Sequence, residues 1–285
     1  MRSQRAPMPA SAVPRWRRSR PSSISTARPD RPTRDGMDVT SRSATDNAAA
    51  FDAHHDDVFG RIATRYDVLC DLFSLGIHRL WKRRVARCIA EESWDTLLDG
   101  ATGTGHIVQH ILAHASTRDR RVIASDISPK MLAIAERRLA SHRDRVELRL
   151  LDAESMPAIA DASVDAYSIS LGLKICDRRR ALSEAFRVLK PGGRLIVLEA
   201  STIAWAPLHR AYLAYMSLCM PALGWLATGG DASAYRYLLQ GVREFPSAEA
   251  LAREIAGHGF TDVRFERLSL GIVAIHVGRK PGGAR

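Results

Sequence analysis

The stretch Thr96-Leu97-Leu98-Asp99-Gly100-Ala101-Thr102-Gly103-Thr104-Gly105-His106-Ile107 decides the fold. Its apolar opening reads as a strand, its glycines as a turn, and Ile107 to Ala115 as a helix. Glycines at 100, 103 and 105 allow a tight turn and bring the backbone near a ligand with no Cβ in the way. Asp99 closes the strand at its carboxyl end, where open α/β sheets bind ligands. Many nucleotide-type sites share such a loop, so the flanking segments have to separate them.

Arg121-Val122-Ile123-Ala124-Ser125-Asp126 is a second strand ending in a carboxylate, at roughly the 20-residue spacing of an acid that grips ribose hydroxyls. Leu148-Arg149-Leu150-Leu151-Asp152-Ala153 is a third. Three successive strands ending in Asp at one edge have no explanation in packing. The turn reads Asp-x-x-x-Gly-x-Gly and lacks the Gly-x-Gly-x-x-Gly spacing that brings backbone to a pyrophosphate, which suits S-adenosylmethionine better than NAD. Downstream, Val164 to Leu171 reads as a strand and Arg179 to Leu189 as a helix stopped by Lys190-Pro191-Gly192-Gly193. Leu195 to Leu198, Val263 to Phe265 and Ile272 to Val277 complete the strands, with a helix over Ala248 to Ala256. Alternating strands and helices predict an α/β fold with a doubly wound, mostly parallel, seven-stranded sheet.

The net charge of +11 on 285 residues is uneven. The first 46 residues hold ten arginines against four aspartates among Pro, Ser and Ala. This 1–46 tail cannot bury enough apolar surface to order itself. It reads as disordered: a transit peptide bound for the mitochondrial matrix, a contact for nucleic acid or anionic lipid, or the product of a start placed ahead of Met37. No secretory apolar segment is present, which predicts a cytoplasmic protein if the tail is no transit peptide. Cys70, Cys88, Cys176 and Cys219 are scattered without metal or redox spacing, which fits a reducing compartment.

Leu80, Trp81, Val85, Cys88 and Ile89 recur at helical spacing, so a helix leads into the first strand. Over 203–245 lies an apolar insertion, interrupted by Pro207, Pro221 and His209-Arg210, which argues against a spanning helix. Two readings stand: helices packed on the sheet, or a lid over 203–229 that holds a prenyl tail and touches the membrane peripherally. His106, His110 and His114 stand four residues apart, a stripe that a helical register produces without any metal.

The pattern Val58-Phe59-x-x-Ile62-Ala63-x-Arg65-Tyr66-Asp67 followed by Ser74-Leu75-Gly76-Ile77-His78-Arg79-Leu80-Trp81-Lys82 resembles the menaquinone/ubiquinone biosynthesis C-methyltransferase family. The likeness continues through the glycine turn, Asp126-Ile127-Ser128 with Met131-Leu132, Asp152-Ala153-Glu154, Arg187 to Leu195, Leu198 to Ser201, and the closing Gly271-Ile272-Val273-Ala274-x-His276. It implies a Rossmann-like class I methyltransferase domain over 50–280 that uses S-adenosylmethionine. Position and resemblance then agree on Asp99, Gly100, Ala101, Gly103, Thr104 and Gly105 around the methionine portion. They also agree on Asp126 with Ile127 for the ribose, Met131, Asp152 and Ala153 for the adenine, and Ser170 near the methyl.

The implied acceptor is the ring of a prenylated quinol, such as demethylmenaquinol or a ubiquinone precursor. A phenol of pKa near 10 is ionised about one part in a thousand at pH 7, a cost of roughly 4 kcal/mol. A cation beside the oxygen lowers that cost. Lys174 is the candidate, with Tyr66 and His78 for positioning or proton transfer. Where the family has Phe-Gly-Leu-Arg-Asn, this chain has Leu171-Gly172-Leu173-Lys174-Ile175, and His106 stands for the family's Asp. Arg to Lys trades a planar fork for a point charge. Other phenolic or polyketide rings therefore stay open as substrates, as does a non-catalytic cofactor-binding subunit of a quinone-synthesising assembly. A homo-oligomer stays open as well. A nucleic-acid methyltransferase is disfavoured, because the chain has neither an Asp/Asn-Pro-Pro-aromatic motif after the fourth strand nor a Pro-Cys nucleophile.

Overall fold

A computed structural model describes residues 66–228 and 233–282. The basic tail over 1–46 and the leader up to Arg65 lie outside the described residues, and so do the readings placed on them. Among the described residues two helices precede the sheet, α1 (Tyr66–Ser74) and α2 (His78–Ala90). Then come β1 (Thr96–Asp99), α3 (His106–Leu112), β2 (Arg121–Asp126), α4 (Pro129–Arg138), β3 (Val146–Leu150), β4 (Val164–Ser170), α5 (Arg178–Val188) and β5 (Leu189–Ala200). The chain ends with α6 (Ala206–Thr228), α7 (Ser233–Glu244), α8 (Ala248–Gly257), β6 (Thr261–Leu268) and β7 (Val273–Arg279).

Among the described residues the sheet has seven strands, as the alternation predicts, and their order is β3-β2-β1-β4-β5-β7-β6. The first five run parallel, and β7 lies antiparallel to both neighbours. The central strands are covered on both faces, which is why they read as near-continuous apolar runs. One face of the sheet (Leu98, Tyr167, Ile169, Val197) packs on Leu182 and Ala185 of α5 and Leu251 and Ile255 of α8. The other face (Leu97, Val122, Ala124, Ile196) packs on Val85 and Ile89 of α2 and Val108 and Ile111 of α3. Side-chain caps fix the starts of three helices: Ser128 on α4, Asp177 on α5 and Ser247 on α8 each accept from a backbone N–H three residues on.

Four details differ from the sequence reading. β3 ends at Leu150, so Asp152 stands beyond it in a turn bridged to Ser155. Lys190 to Gly193 stops α5 as expected, yet the strand already begins at Leu189. The four residues bulge out, with Leu189 opposite Val164 and Arg194 opposite Ala166. The insertion forms α6 and α7, which pack Met216, Met220 and Leu238 against Leu69 of α1, in a cluster separate from the two sheet cores. Among the described residues no helix is long and apolar enough to cross a membrane, and Pro221 lies inside α6. On α2, Leu80 is 60% exposed and Lys82 only 8%, so the helix turns a lysine inward where the apolar spacing predicts a leucine.

At the start of the glycine turn, a Cβ on Gly100 would stand 2.7 Å from the Tyr167 ring carbon Cζ. Tyr167 is buried and its hydroxyl has no hydrogen-bond partner. Gly100→Ala should therefore lose about 1–3 kcal/mol through overpacking, and Tyr167→Phe should restore part of it while costing less than about 1 kcal/mol alone. Urea unfolding of the two single variants and the double variant checks this; wild-type stability in Gly100→Ala would contradict the close approach.

Candidate active site

The glycine turn is held from beneath. Asp99 is 1% exposed. One of its carboxylate oxygens accepts from the Ser168 hydroxyl at 2.6 Å and the other from the Thr102 hydroxyl at 2.6 Å. Its carbonyl accepts from the Ser125 hydroxyl at 2.9 Å, so one residue ties β1 to β2, to β4 and to the turn. Burial pushes the Asp99 carboxyl up to about 6, against the pull of those two hydroxyls. Asp99 does not line the cavity above the turn, and neither does Gly105, whose missing Cβ lets α4 approach so closely that an added one would meet Ala135 at 3.2 Å. These two residues shape the site without facing it.

All the other residues expected to hold the cofactor come together. Gly100, Ala101, Gly103 and Thr104 line one side of a cavity of about 110 Å³. Asp126, Ile127 and Met131, then Asp152 and Ala153, and Ser170 line the rest. The Asp126 carboxylate accepts from the backbone N–H of Gly103 at 2.7 Å and of Ser128 at 2.9 Å. Burial pushes its pKa up, and those N–H groups oppose the rise. Ser170 presents a buried hydroxyl without a hydrogen-bond partner. A Cβ on Gly103 would project into open space. An unsatisfied hydroxyl, an acid at the end of β2, a second acid in the turn after β3 and an open glycine turn fit a nucleoside joined to an amino-acid chain.

A second cavity of about 280 Å³ adjoins the first. Its walls are mostly apolar (Leu69, Phe73, Tyr212, Met216, Met220), and its polar members are Ser74, His78, Lys82, Lys174 and Glu199. Among the described residues, Lys82 and Leu171 line both cavities. His78 and Lys174, both expected from the sequence, lie here. The side chain of Tyr66 lies outside what is described. The Lys174 ammonium donates to the Leu171 carbonyl and stands 3.4 Å from the Glu199 carboxylate, which is fully buried. His78 accepts from or donates to the Ser74 hydroxyl at 2.9 Å, with Asp71 at 3.6 Å. Burial, and then the charge of Lys82, depress its pKa to about 4, so the imidazole is neutral at pH 7.

The leader is strapped to the turn by Asp67. Its carboxylate accepts from the Thr104 hydroxyl at 2.9 Å and from Arg138 at 2.8 Å, and His106 stands at 3.1 Å. Burial pushes this carboxyl up, but hydrogen bonds from His106, Arg138 and Thr104 prevail and hold it well below the usual carboxylate range. His106 thus faces Asp67 and lines the first cavity. Among the described residues no group of three or more His, Cys, Asp or Glu is arranged for a metal. Sequence reasoning missed Lys82, Glu199 and Thr102 as members of the site, and Asp67 as the strap. All four lie inside motifs that carry the family resemblance, but nothing in their spacing shows which of them turn toward the site.

A mostly parallel seven-stranded sheet with a cavity over the carboxyl ends of β1, β2 and β4 is the architecture of class I methyltransferases. A SAM-dependent methyltransferase from Thermotoga maritima has a similar fold, with a TM-score of 0.56 at 21% identity over 79% of this chain and 98% of that one. Residues 48–280 match the ubiE/COQ5 methyltransferase family. The ubiquinone/menaquinone biosynthesis C-methyltransferase UbiE of Rubrivivax gelatinosus is 42% identical over 80% of this chain and 87% of its own. The mitochondrial 2-methoxy-6-polyprenyl-1,4-benzoquinol methylase of Schizosaccharomyces pombe is 40% identical over 79% of this chain and 78% of its own. The chain belongs to the ubiE/COQ5 methyltransferase family, and it is an S-adenosylmethionine-dependent methyltransferase.

The depressed His78 pKa sets a pH dependence. A neutral buried imidazole contributes stability that is fully present above its unfolded pKa of 6.5 and is lost as pH falls through about 4. Asp99 works the other way: its raised pKa means stability is lost as pH climbs from 3.8 through about 6. The informative curve is therefore the difference between wild type and His78→Gln. It should grow by up to ~3 kcal/mol from pH 4 to 6.5; a flat difference would show that His78 does not stay neutral.

Proposed function

We propose that the protein transfers a methyl group from S-adenosylmethionine to a ring carbon of a prenylated quinol, of the demethylmenaquinol or ubiquinone-precursor kind. The observation that carries this reading is the pair of adjoining cavities: one is ringed by acids and a glycine turn, the other is apolar, and the two share the wall formed by Lys82 and Leu171. The names of the relatives, which refer to quinone and quinol C-methylation, support it. S-adenosylmethionine supplies an activated methyl, so the protein's task is alignment, worth on the order of 7–11 kcal/mol.

The Asp126 oxygens each accept one N–H and keep a lone pair for a ribose hydroxyl. Asp152 takes the adenine amino group, and the backbone at Gly103 and Thr104 the methionine portion. Ser170, the last residue of β4, lines the first cavity with an unsatisfied hydroxyl and falls near the methyl. In the second cavity Met216, Met220 and Leu238 offer an apolar wall to a prenyl tail, and neutral His78 is placed to orient the ring hydroxyl by a hydrogen bond. Ile175, which lines the first cavity where the family's Asn would stand, favours as a second reading a phenolic ring with fewer polar substituents.

A tail-bearing substrate arrives from lipid. Trp205, Leu218 and Trp225 around α6 are exposed, as are Leu72, Leu75 and Leu80 on the leader. Such side chains suit a peripheral contact with a bilayer surface.

Labelled methyl transfer to a short-chain demethylmenaquinol, in detergent under reducing conditions, tests the reaction. Product carrying a ring C-methyl is expected, and no product despite calorimetric binding of S-adenosylmethionine would redirect the search to other phenolic rings. Asp126→Ala should weaken cofactor affinity by roughly 10–100-fold with the fold intact by circular dichroism. Unchanged affinity would remove Asp126 from the ribose site.

A further inference from the structure

Lys82 has the most exceptional position of any cation around the two cavities. It is 8% exposed and lines both of them, at the boundary where a methyl donor and an acceptor ring would meet. Its nearest acidic oxygen is on Asp67, at 3.9 Å, beyond hydrogen-bond range. That carboxylate is already engaged by Thr104, Arg138 and His106. Lys174, in contrast, is held by the Leu171 carbonyl and by buried Glu199, whose other oxygen accepts from the Lys174 backbone N–H at 3.1 Å. The Lys174–Glu199 pair is neutral as a unit and internally bonded, whereas Lys82 keeps donors available to a ligand.

We propose that Lys82 is the catalytic cation that faces the phenolic oxygen of the acceptor ring, and that Lys174 with Glu199 forms a neutral floor beneath it. The proposal rests on the quinol reading above. In the step it serves, the ring O–H bond breaks, its electron pair stays on oxygen opposite the Lys82 ammonium, and the proton leaves to solvent, while the neutral His78 imidazole orients the ring by a hydrogen bond. His78 stands one helical turn before Lys82 on α2 and lines the same cavity. The other groups that act on Lys82 are Asp67, Cys70 and Asp71 from α1 and Arg138 from α4. Burial lowers the Lys82 pKa and the three α1 groups oppose that, so the ammonium is poorly solvated and gains from a phenolate partner.

A chromophoric phenol, 4-nitro-1-naphthol, reads this directly, since its bound pKa is measured by absorbance without any methyl transfer. The wild-type protein should lower the pKa of the bound probe relative to free probe. Lys82→Met should raise the bound value by about one unit, a tenfold loss of phenolate stabilisation. Lys82→Arg, which keeps the charge, should retain the wild-type titration. Removing Lys174 alone would strand the buried Glu199 charge, so the comparison is the double variant Lys174→Met/Glu199→Gln, which should leave the bound pKa in place. Should Lys82→Met fail to fold, Lys82→Gln is read in the same way. A bound pKa unchanged in the Lys82 variants, or lost only in the double variant, would overturn the assignment. Failure of the wild-type protein to bind the probe at all would overturn the quinol-cavity reading, and the role of Lys82 with it.

Discussion

A carboxylate out of reach of water organises the ligand-facing edge of this sheet. Asp99 receives the hydroxyls of Ser168 and Thr102 on its two oxygens and the Ser125 hydroxyl on its carbonyl. Three neighbouring segments are thereby locked to one residue of the central strand. Burying an acid is costly, and its raised pKa records that cost. What the cost secures is a turn of fixed shape: with Thr102 anchored and Gly103 donating to Asp126, the backbone between them has little freedom to collapse into the cavity it borders.

The second constraint is applied from above by the leader. Asp67 joins α1 to the turn through Thr104 and to α4 through Arg138, while Trp81 donates to the Ser269 hydroxyl in the loop before β7. The leader thus spans both cavities and contributes to each. It brings an apolar surface to the larger cavity and, through Lys82, a cation to the boundary. The strap adds a charged contact to Arg138 and a hydroxyl contact to Thr104 on top of the apolar packing of Leu69, Val85 and Ile89.

Most of the fold was legible because strands that are buried on both faces must be apolar, and because helices must begin and end somewhere. Asp99, Asp126 and Asp152 were legible for the opposite reason, since nothing in packing calls for them, although Asp152 stands in the turn beyond β3 rather than at its end. What stayed hidden depends on tertiary contacts that one-dimensional spacing does not encode. Asp99 and Gly105 belong to the same motif as the cavity-lining residues, and only the third dimension shows them facing away. Lys82 sits in Lys82-Arg83-Arg84, a run that reads as a solvated helix face, while its neighbour Leu80 carries the apolar spacing and ends up exposed. Glu199 follows the apolar run Leu195 to Leu198 in β5, and its partner at 174 is 25 residues away.

The bonds that hold the leader in place reach across nearly the whole domain. Trp81 finds Ser269 188 residues later, and Arg84 finds Glu266 after 182. During synthesis α1 and α2 leave the ribosome before every strand of the sheet, yet β6 and the loop that follows it, which they grip, emerge among the last. The apolar face of α2 can pack on the strands that follow it at once, but Trp81 and Arg84 gain their late partners only when β6 and its loop appear. A chain cut short near its carboxyl end would carry an intact glycine turn beneath a leader that has lost these two attachments.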